Sequence, residues 1–243
     1  MGSRQAKCVQ PAQEPSGKKK GSWKLLNVLH DQREIWLFPA DVVRGKHWKP
    51  ALGFVAGTAG LVALDPSEAP YFRATSSYHT FDQVFSSRNT GIGMAAVPAT
   101  FYAVSLVRHN IYDQRTSRLT LEAVLDSELV ASALNSTTHR LRPAEVPNAP
   151  GYADTFTDAA GGLFTSHGSF PSGHTIAAFS IASVFACRYS RHRWVPWIAY
   201  GLAASVAFSR ITLQAHLASD VSAGAVLGYT ISRYVVLPPE GSE

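Results

Sequence analysis

Two short stretches carry the residues best suited to chemistry. In Ser169-Phe-Pro-Ser-Gly-His174-Thr, a histidine stands on what reads as the first turn of an apolar helix beginning near Thr175. A helix start needs a cap and tolerates a proline, but has no structural need of a histidine there. In Ser209-Arg-Ile-Thr-Leu-Gln-Ala-His216-Leu-Ala-Ser-Asp220, a histidine and a carboxylate are four residues apart. If that stretch is helical, the two share a face, and Asp220 can accept the Nδ1 proton of His216, leaving Nε2 free and electron-rich. Arg210 lies just upstream, and Arg140 and Arg142 offer two further guanidinium forks for an oxyanion. The free N–H groups of a helix start at His174 favour an anion, and Gly173 lets backbone approach it closely. One histidine to attack phosphorus, a second to protonate the leaving oxygen, and arginines for the equatorial oxygens make a set for phosphoryl transfer.

These residues must be positioned by helices. Of 243 residues, 46% are apolar and only 16% charged, and the apolar residues fall in long Ala-, Leu- and Val-rich runs. The expected fold is all-α: a single helical bundle with the site at helix ends and long connecting loops. The expected helices cover 51–64, 92–107, 119–134, 175–187, 195–208 and 221–237. A short amphipathic helix precedes them from about Leu25 to Leu37, ended by Pro39. Residues 1–22, rich in Lys, Gln, Pro and Gly, read as a disordered tail, leaving 23–243 as the helical domain. Two long connections are expected, 65–90 and 144–169.

Most runs are shorter than the ~20 apolar residues that span a bilayer, which favours buried helices in a compact domain over an integral membrane protein. The segment between Arg88 and Arg108 is the best membrane candidate. The net charge of +5 suits an anionic substrate or membrane surface, and no basic helix with interleaved aromatics points to nucleic acid. Cys8 and Cys187 do not suggest a disulfide framework, and no signal peptide is visible in the first twenty residues. His167 could line the mouth of a site. The loop acids Asp154 and Asp158 read as solvated rather than metal-binding, and the aromatics from Tyr71 to Phe85 as packing rather than a lid.

Together, Arg142-Pro143, Pro171-Ser-Gly-His174, and Ser209-Arg210 followed by His216 and Asp220 resemble the three signature motifs of the type 2 phosphatidic acid phosphatase superfamily. That superfamily includes histidine acid phosphatases, lipid phosphatases and vanadium haloperoxidases. The resemblance covers about residues 131–234. It implies a phosphoric ester hydrolase, acting on a phosphomonoester or lipid (di)phosphate through a phosphohistidine at His216. Asp220 would orient that histidine, and His174 would be acid and then base. Arg142, Arg210, Ser172 and the Gly173 backbone would bind phosphate. Neither metal nor cofactor is implied, and vanadate enters only if the chain is a haloperoxidase. The implied location is periplasmic or membrane-associated, with a phosphorylated small molecule or lipid as partner and no nucleic acid.

One position departs from the pattern. The first motif opens with a lysine six residues before Arg-Pro, and here that position is Asn135. Losing one donor at an oxyanion site costs roughly 10²–10³ in rate. Asn135 can donate a hydrogen bond without charge, and His139 or Arg140 could compensate. A phosphate-binding protein with weak or no turnover is therefore a further alternative. Two histidines needed in opposite protonation states, each ordinarily titrating near ~6.5, predict a bell-shaped pH profile with an acidic to neutral optimum.

Overall fold

A computed structural model describes residues 25–146, 151–152, 155–156 and 168–237. The expected tail 1–22, Cys8, Asp154, Asp158 and His167 lie outside the described residues. Among those described, eight α-helices and no strand occur. They are α1 (Leu25–Val43), α2 (Trp48–Ala74), α3 (His79–Val84), α4 (Ser87–Val107), α5 (Ile111–Thr138), α6 (Gly173–Arg188), α7 (Trp194–Thr212) and α8 (Ala218–Ile231). A π turn, Ser232–Val236, follows α8.

The centre is α6, against which α5, α7 and α8 pack. Its Ala- and Ser-rich sequence makes this possible, because small side chains let helix backbones come close. Ile176, Ala177, Ala178, Ser180, Ala182, Ser183 and Val184 are all buried. On α8, glycine is required twice. A Cβ at Gly228 would stand 2.3 Å from the Ile176 carbonyl oxygen, and one at Gly224 would stand 2.9 Å from that of Ser172. Serine hydroxyls lace the contact: Ser180 donates to the Gly228 carbonyl (3.3 Å) and pairs with Ser127 of α5 (2.8 Å).

Two expectations about elements change. Pro39 does not end α1, which runs to Val43; a proline removes one donor and bends a helix but does not forbid another turn. The stretch 65–90 is not a loop. α2 continues through Pro66 and Pro70 to Ala74, and α3 with the first turn of α4 fills most of the remainder. Its aromatics pack as expected, with Phe72, Tyr78 and Phe81 surrounding Phe208.

The helices are also less buried than expected. On α4 the buried residues are Thr90 and Ser105, while Ile92 and Val97 are exposed. On α7, Trp194, Trp197, Ile198 and Leu202 face outward. Polar or small residues inside and large apolar residues outside reverse the soluble pattern. Among the described residues, α4 is the one helix long and apolar enough to cross a membrane, and it coincides with the segment singled out between Arg88 and Arg108.

Candidate active site

Four helix ends meet at one end of the bundle. The C-termini of α5 and α7 come together with the N-termini of α6 and α8, and the end of α2 closes the group. His216 is not on a helix. α7 stops at Thr212, a turn follows, and α8 starts at Ala218. The Arg210 carbonyl oxygen accepts the backbone N–H groups of Ala215 (3.0 Å) and His216 (3.1 Å), fixing that turn.

The geometry therefore differs from the expected i, i+4 pair. His216 Nδ1 lies 2.8 Å from the Ser169 carbonyl oxygen, but 3.8 Å from Asp220 Oδ2, beyond hydrogen-bond distance. A carbonyl can only accept, so Nδ1 carries the proton and Nε2 keeps its lone pair. Asp220 reaches the histidine indirectly. Its Oδ2 accepts from Ser169 Oγ (2.8 Å) and caps α8 through the Leu217 N–H (2.9 Å). The side chain of Ser169 thus faces the carboxylate while its carbonyl faces the imidazole.

Arg140 explains why Asp220 is drawn away from the ring. The sequence offered Arg140 as a spare donor for an oxyanion, and the structure does not use it so. Its side chain is wholly buried, donating to Asp220 Oδ1 (2.5 Å), Ser219 Oγ (2.5 Å), Thr155 Oγ1 (3.0 Å) and Asp65 Oδ2. Asp65, on α2 and also fully buried, accepts in turn from Ser219 Oγ (2.6 Å) and the Ser219 N–H (3.3 Å). One cation between two carboxylates, with hydroxyls filling the remaining positions, satisfies charges that would otherwise be costly to bury. Asp65 had no motif to mark it. A lone acid between apolar Leu64 and Pro66 was its only signal.

His174 is half-buried on the first turn of α6. Its Nε2 lies 3.2 Å from the Ser87 carbonyl oxygen. The same logic makes Nε2 the donor and leaves Nδ1 as the titrating nitrogen. Burial pushes its pKa down, and the charges of Arg210, His216 and Arg142 push the same way, against the opposing Ser87 carbonyl. Arg210 is buried and tied to the start of α4, donating to Ser87 Oγ (2.8 Å), the Phe85 carbonyl (2.5 Å) and Ser209 Oγ (2.8 Å). Arg142 is exposed on a short 3-10 turn, Pro143–Glu145, where its N–H donates to Glu145 Oε2 (3.1 Å).

Ser172 is fully buried and accepts a bond from Thr175 Oγ1 (3.0 Å). Gly173 opens α6 beside the Glu128 carboxylate, whose nearer oxygen would be 3.4 Å from a Cβ there. Asn135 sits at the end of α5, and its amide nitrogen donates to the Pro171 carbonyl at 3.4 Å. His139 ends α5 in a left-handed conformation, φ 44°. The structure thus brings His174, His216, Arg142 and Arg210 to one end of the bundle. It turns Arg140 inward and spends an Asn135 donor on backbone.

Residues 118–239 match the PAP2 superfamily, which is half of the chain. The chain belongs to the PAP2 superfamily. Two curated relatives come from Porphyromonas gingivalis. A lipid A 1-phosphatase is 40% identical over 85 residues, covering 32% of this chain and 19% of the relative. A lipid A 4'-phosphatase is 30% identical over 118 residues, covering 46% of this chain and 48% of the relative. The chain spans less than half the length of either. A PAP2-type phosphatidylglycerolphosphate phosphatase crystal structure from Bacillus subtilis aligns over 85% of this PAP2 chain and 94% of its own, with 19% identity and a TM-score of 0.43.

Proposed function

We propose that this PAP2 protein hydrolyses a lipid phosphate through a phosphohistidine on His216. The observation that carries the reading is the 2.8 Å contact from His216 Nδ1 to the Ser169 carbonyl, which leaves Nε2 unprotonated. In the first step the Nε2 lone pair forms the N–P bond as the P–O bond to the leaving group breaks. His174, protonated on Nδ1, gives that oxygen its proton. In the second step the now neutral His174 takes a proton from water. The water oxygen bonds to phosphorus, the N–P bond breaks, and phosphate leaves. Arg142, Arg210 and the N–H groups at the start of α6 stabilise the equatorial oxygens. Asp220 and Ser169 hold the His216 ring through these events.

The outward apolar faces of α4 and α7 support a lipid substrate over a water-soluble one, as do the relatives that act on lipid A. We place α4 across the bilayer, with the site at the level of its first residue, Ser87, and hence at a membrane face. The orientation follows from charge. Arg44 and Lys46 follow α1, Arg108 follows α4, and Arg191 with Arg193 follows α6, all at the end away from the site. The turns at the site end after α2 (75–78) and α7 (213–217) carry neither Lys nor Arg, and Arg73 and Arg88 are the basic residues that flank that end on α2 and α4. Cytoplasmic connections collect such positive residues, so the site faces away from the cytoplasm.

The test is phosphate release from phosphatidate in detergent micelles with a chelator present, for wild type and His216→Ala. Turnover that resists the chelator and is abolished in His216→Ala is expected, with an acid-labile, base-stable phosphoryl label trapped on the wild-type protein. Equal turnover in His216→Ala overturns the mechanism. Phosphatidate binding without any turnover would make the chain a phosphate-binding protein.

A further inference from the structure

We infer that the groove between α4, α6 and α7 holds an acyl chain of the lipid whose phosphate enters the site. The inference rests on the phosphatase reading for the identity of the lipid. The groove has a volume of about 390 Å³ and an almost wholly apolar lining. Its three walls run directly into the site. Ala178 stands one helical turn after His174, Val206 one turn before Arg210, and Phe85, at the groove's upper end, gives its carbonyl to Arg210. A molecule with its phosphate between His174 and Arg210 therefore has one adjoining apolar channel for its tail.

Length points to the same occupant. On α7 the wall extends from Val206 back to Trp194, twelve residues or about 18 Å. That is close to half the ~30 Å hydrocarbon core of a bilayer, the depth reached by the acyl chains of one leaflet. The rim is open to the surroundings: Ile198 and Leu202, which line the groove, are both more than half exposed. A chain can thus enter sideways from the lipid phase. Asn89 and Thr90, at the end nearest the site, are the polar members of the lining, where the ester region of such a lipid would lie. Gly93 lines the middle, and a Cβ built there meets nothing within 4 Å. A large side chain at this position would project into the groove rather than into the protein.

Two measurements test this. In the first, the full chain in detergent micelles is irradiated with a phosphatidate bearing a diazirine within one acyl chain, and adducts are mapped by mass spectrometry. Adducts concentrated in 84–97 and 194–206, and displaced by unlabelled phosphatidate but not by phosphatidylcholine, are expected. Adducts spread equally over the exposed apolar faces of α5 and α8, adducts indifferent to the competitor, or no adducts would each overturn the inference. In the second, the ratio of kcat/KM for dipalmitoyl over dihexanoyl phosphatidate is compared between wild type, Gly93→Phe and Leu121→Phe, an exposed site on α5 outside the groove. A fall of about tenfold in Gly93→Phe with no change in Leu121→Phe is expected, and an unchanged ratio in Gly93→Phe overturns the assignment. Cross-linking does not require turnover. Groove adducts on a protein that hydrolyses neither lipid would leave the groove standing and remove the phosphatase reading alone.

Discussion

Arg140 Nη1 lies 2.5 Å from Asp220 Oδ1, and neither side chain has any exposed surface. Asp65 closes on the other arm of the same guanidinium from α2, far away in sequence and outside the segment that matches the family. The carboxylate beside the candidate nucleophile is thus held by a cation that never meets solvent. Removing either acid leaves Arg140 short of a partner. Arg140→Gln should lower stability by about 3–5 kcal/mol, the usual cost of breaking a buried pair on one side. Asp65→Asn keeps the shape and should destabilise less. Denaturant or thermal unfolding in micelles checks both, and Arg140→Gln equal to wild type would contradict the assigned network.

His174 gives a pH prediction. Its pKa is pushed below the ordinary 6.5, first by burial and then by Arg210, His216 and Arg142. As the acid it must be protonated, so kcat/KM should fall as pH rises through a midpoint below that value. A bound phosphate brings negative charge beside the ring and raises the pKa, so the corresponding limb of kcat should lie at higher pH. Initial rates from acid to mild base would show the separation. Coincident limbs, or a flat profile, would remove His174 from the proton transfers.

Asn135 occupies the place of the first-motif lysine and donates to the Pro171 carbonyl. Asn135→Lys restores a cation at the site and should raise kcat, by up to about 10²-fold on the scale of one oxyanion donor. No gain in steady-state turnover would show that the rest of the site already provides that charge.

Gly228 is held against α6 by contact with the Ile176 carbonyl. Gly228→Ala must push two backbones apart at the centre of the bundle and should cost roughly 1–3 kcal/mol. Gly93→Ala, in open space on α4, should cost far less. Paired unfolding curves make the comparison, and equal losses would contradict the close approach of α8 to α6.

The proposed orientation is tested by labelling in cells. Ser76→Cys lies after α2 at the site end, and His192→Cys lies after α6 at the other; both positions are exposed. A membrane-impermeant maleimide should label the first in intact cells and the second only after permeabilisation. The reverse pattern would place the site in the cytoplasm.

The sequence by itself determined most of the helices and singled out the residues of the candidate site. The apolar runs marked the helices, and the spacing of Arg142, His174, Arg210 and His216 marked the proposed chemistry, because both are local patterns. It misplaced α2, whose prolines and acids between 65 and 74 read as a loop. Only tertiary structure supplied the neighbours that stabilise them: Ala69 is buried, Asp65 meets Arg140, and Glu68 accepts the Ala218 N–H at 3.0 Å. Only tertiary structure decided what each polar group faces. His216 and Asp220 are four apart in sequence, yet the ring turned to Ser169 and the carboxylate to Arg140. A buried charge goes to the partner that best satisfies it, and here Arg140 and Ser169 both arrive from between α5 and α6, while α2 supplies Asp65 to Arg140. The same reason hid the apolar faces of α4 and α7. Composition counts apolar residues, but only packing around a core of small side chains decides which of them are left outside.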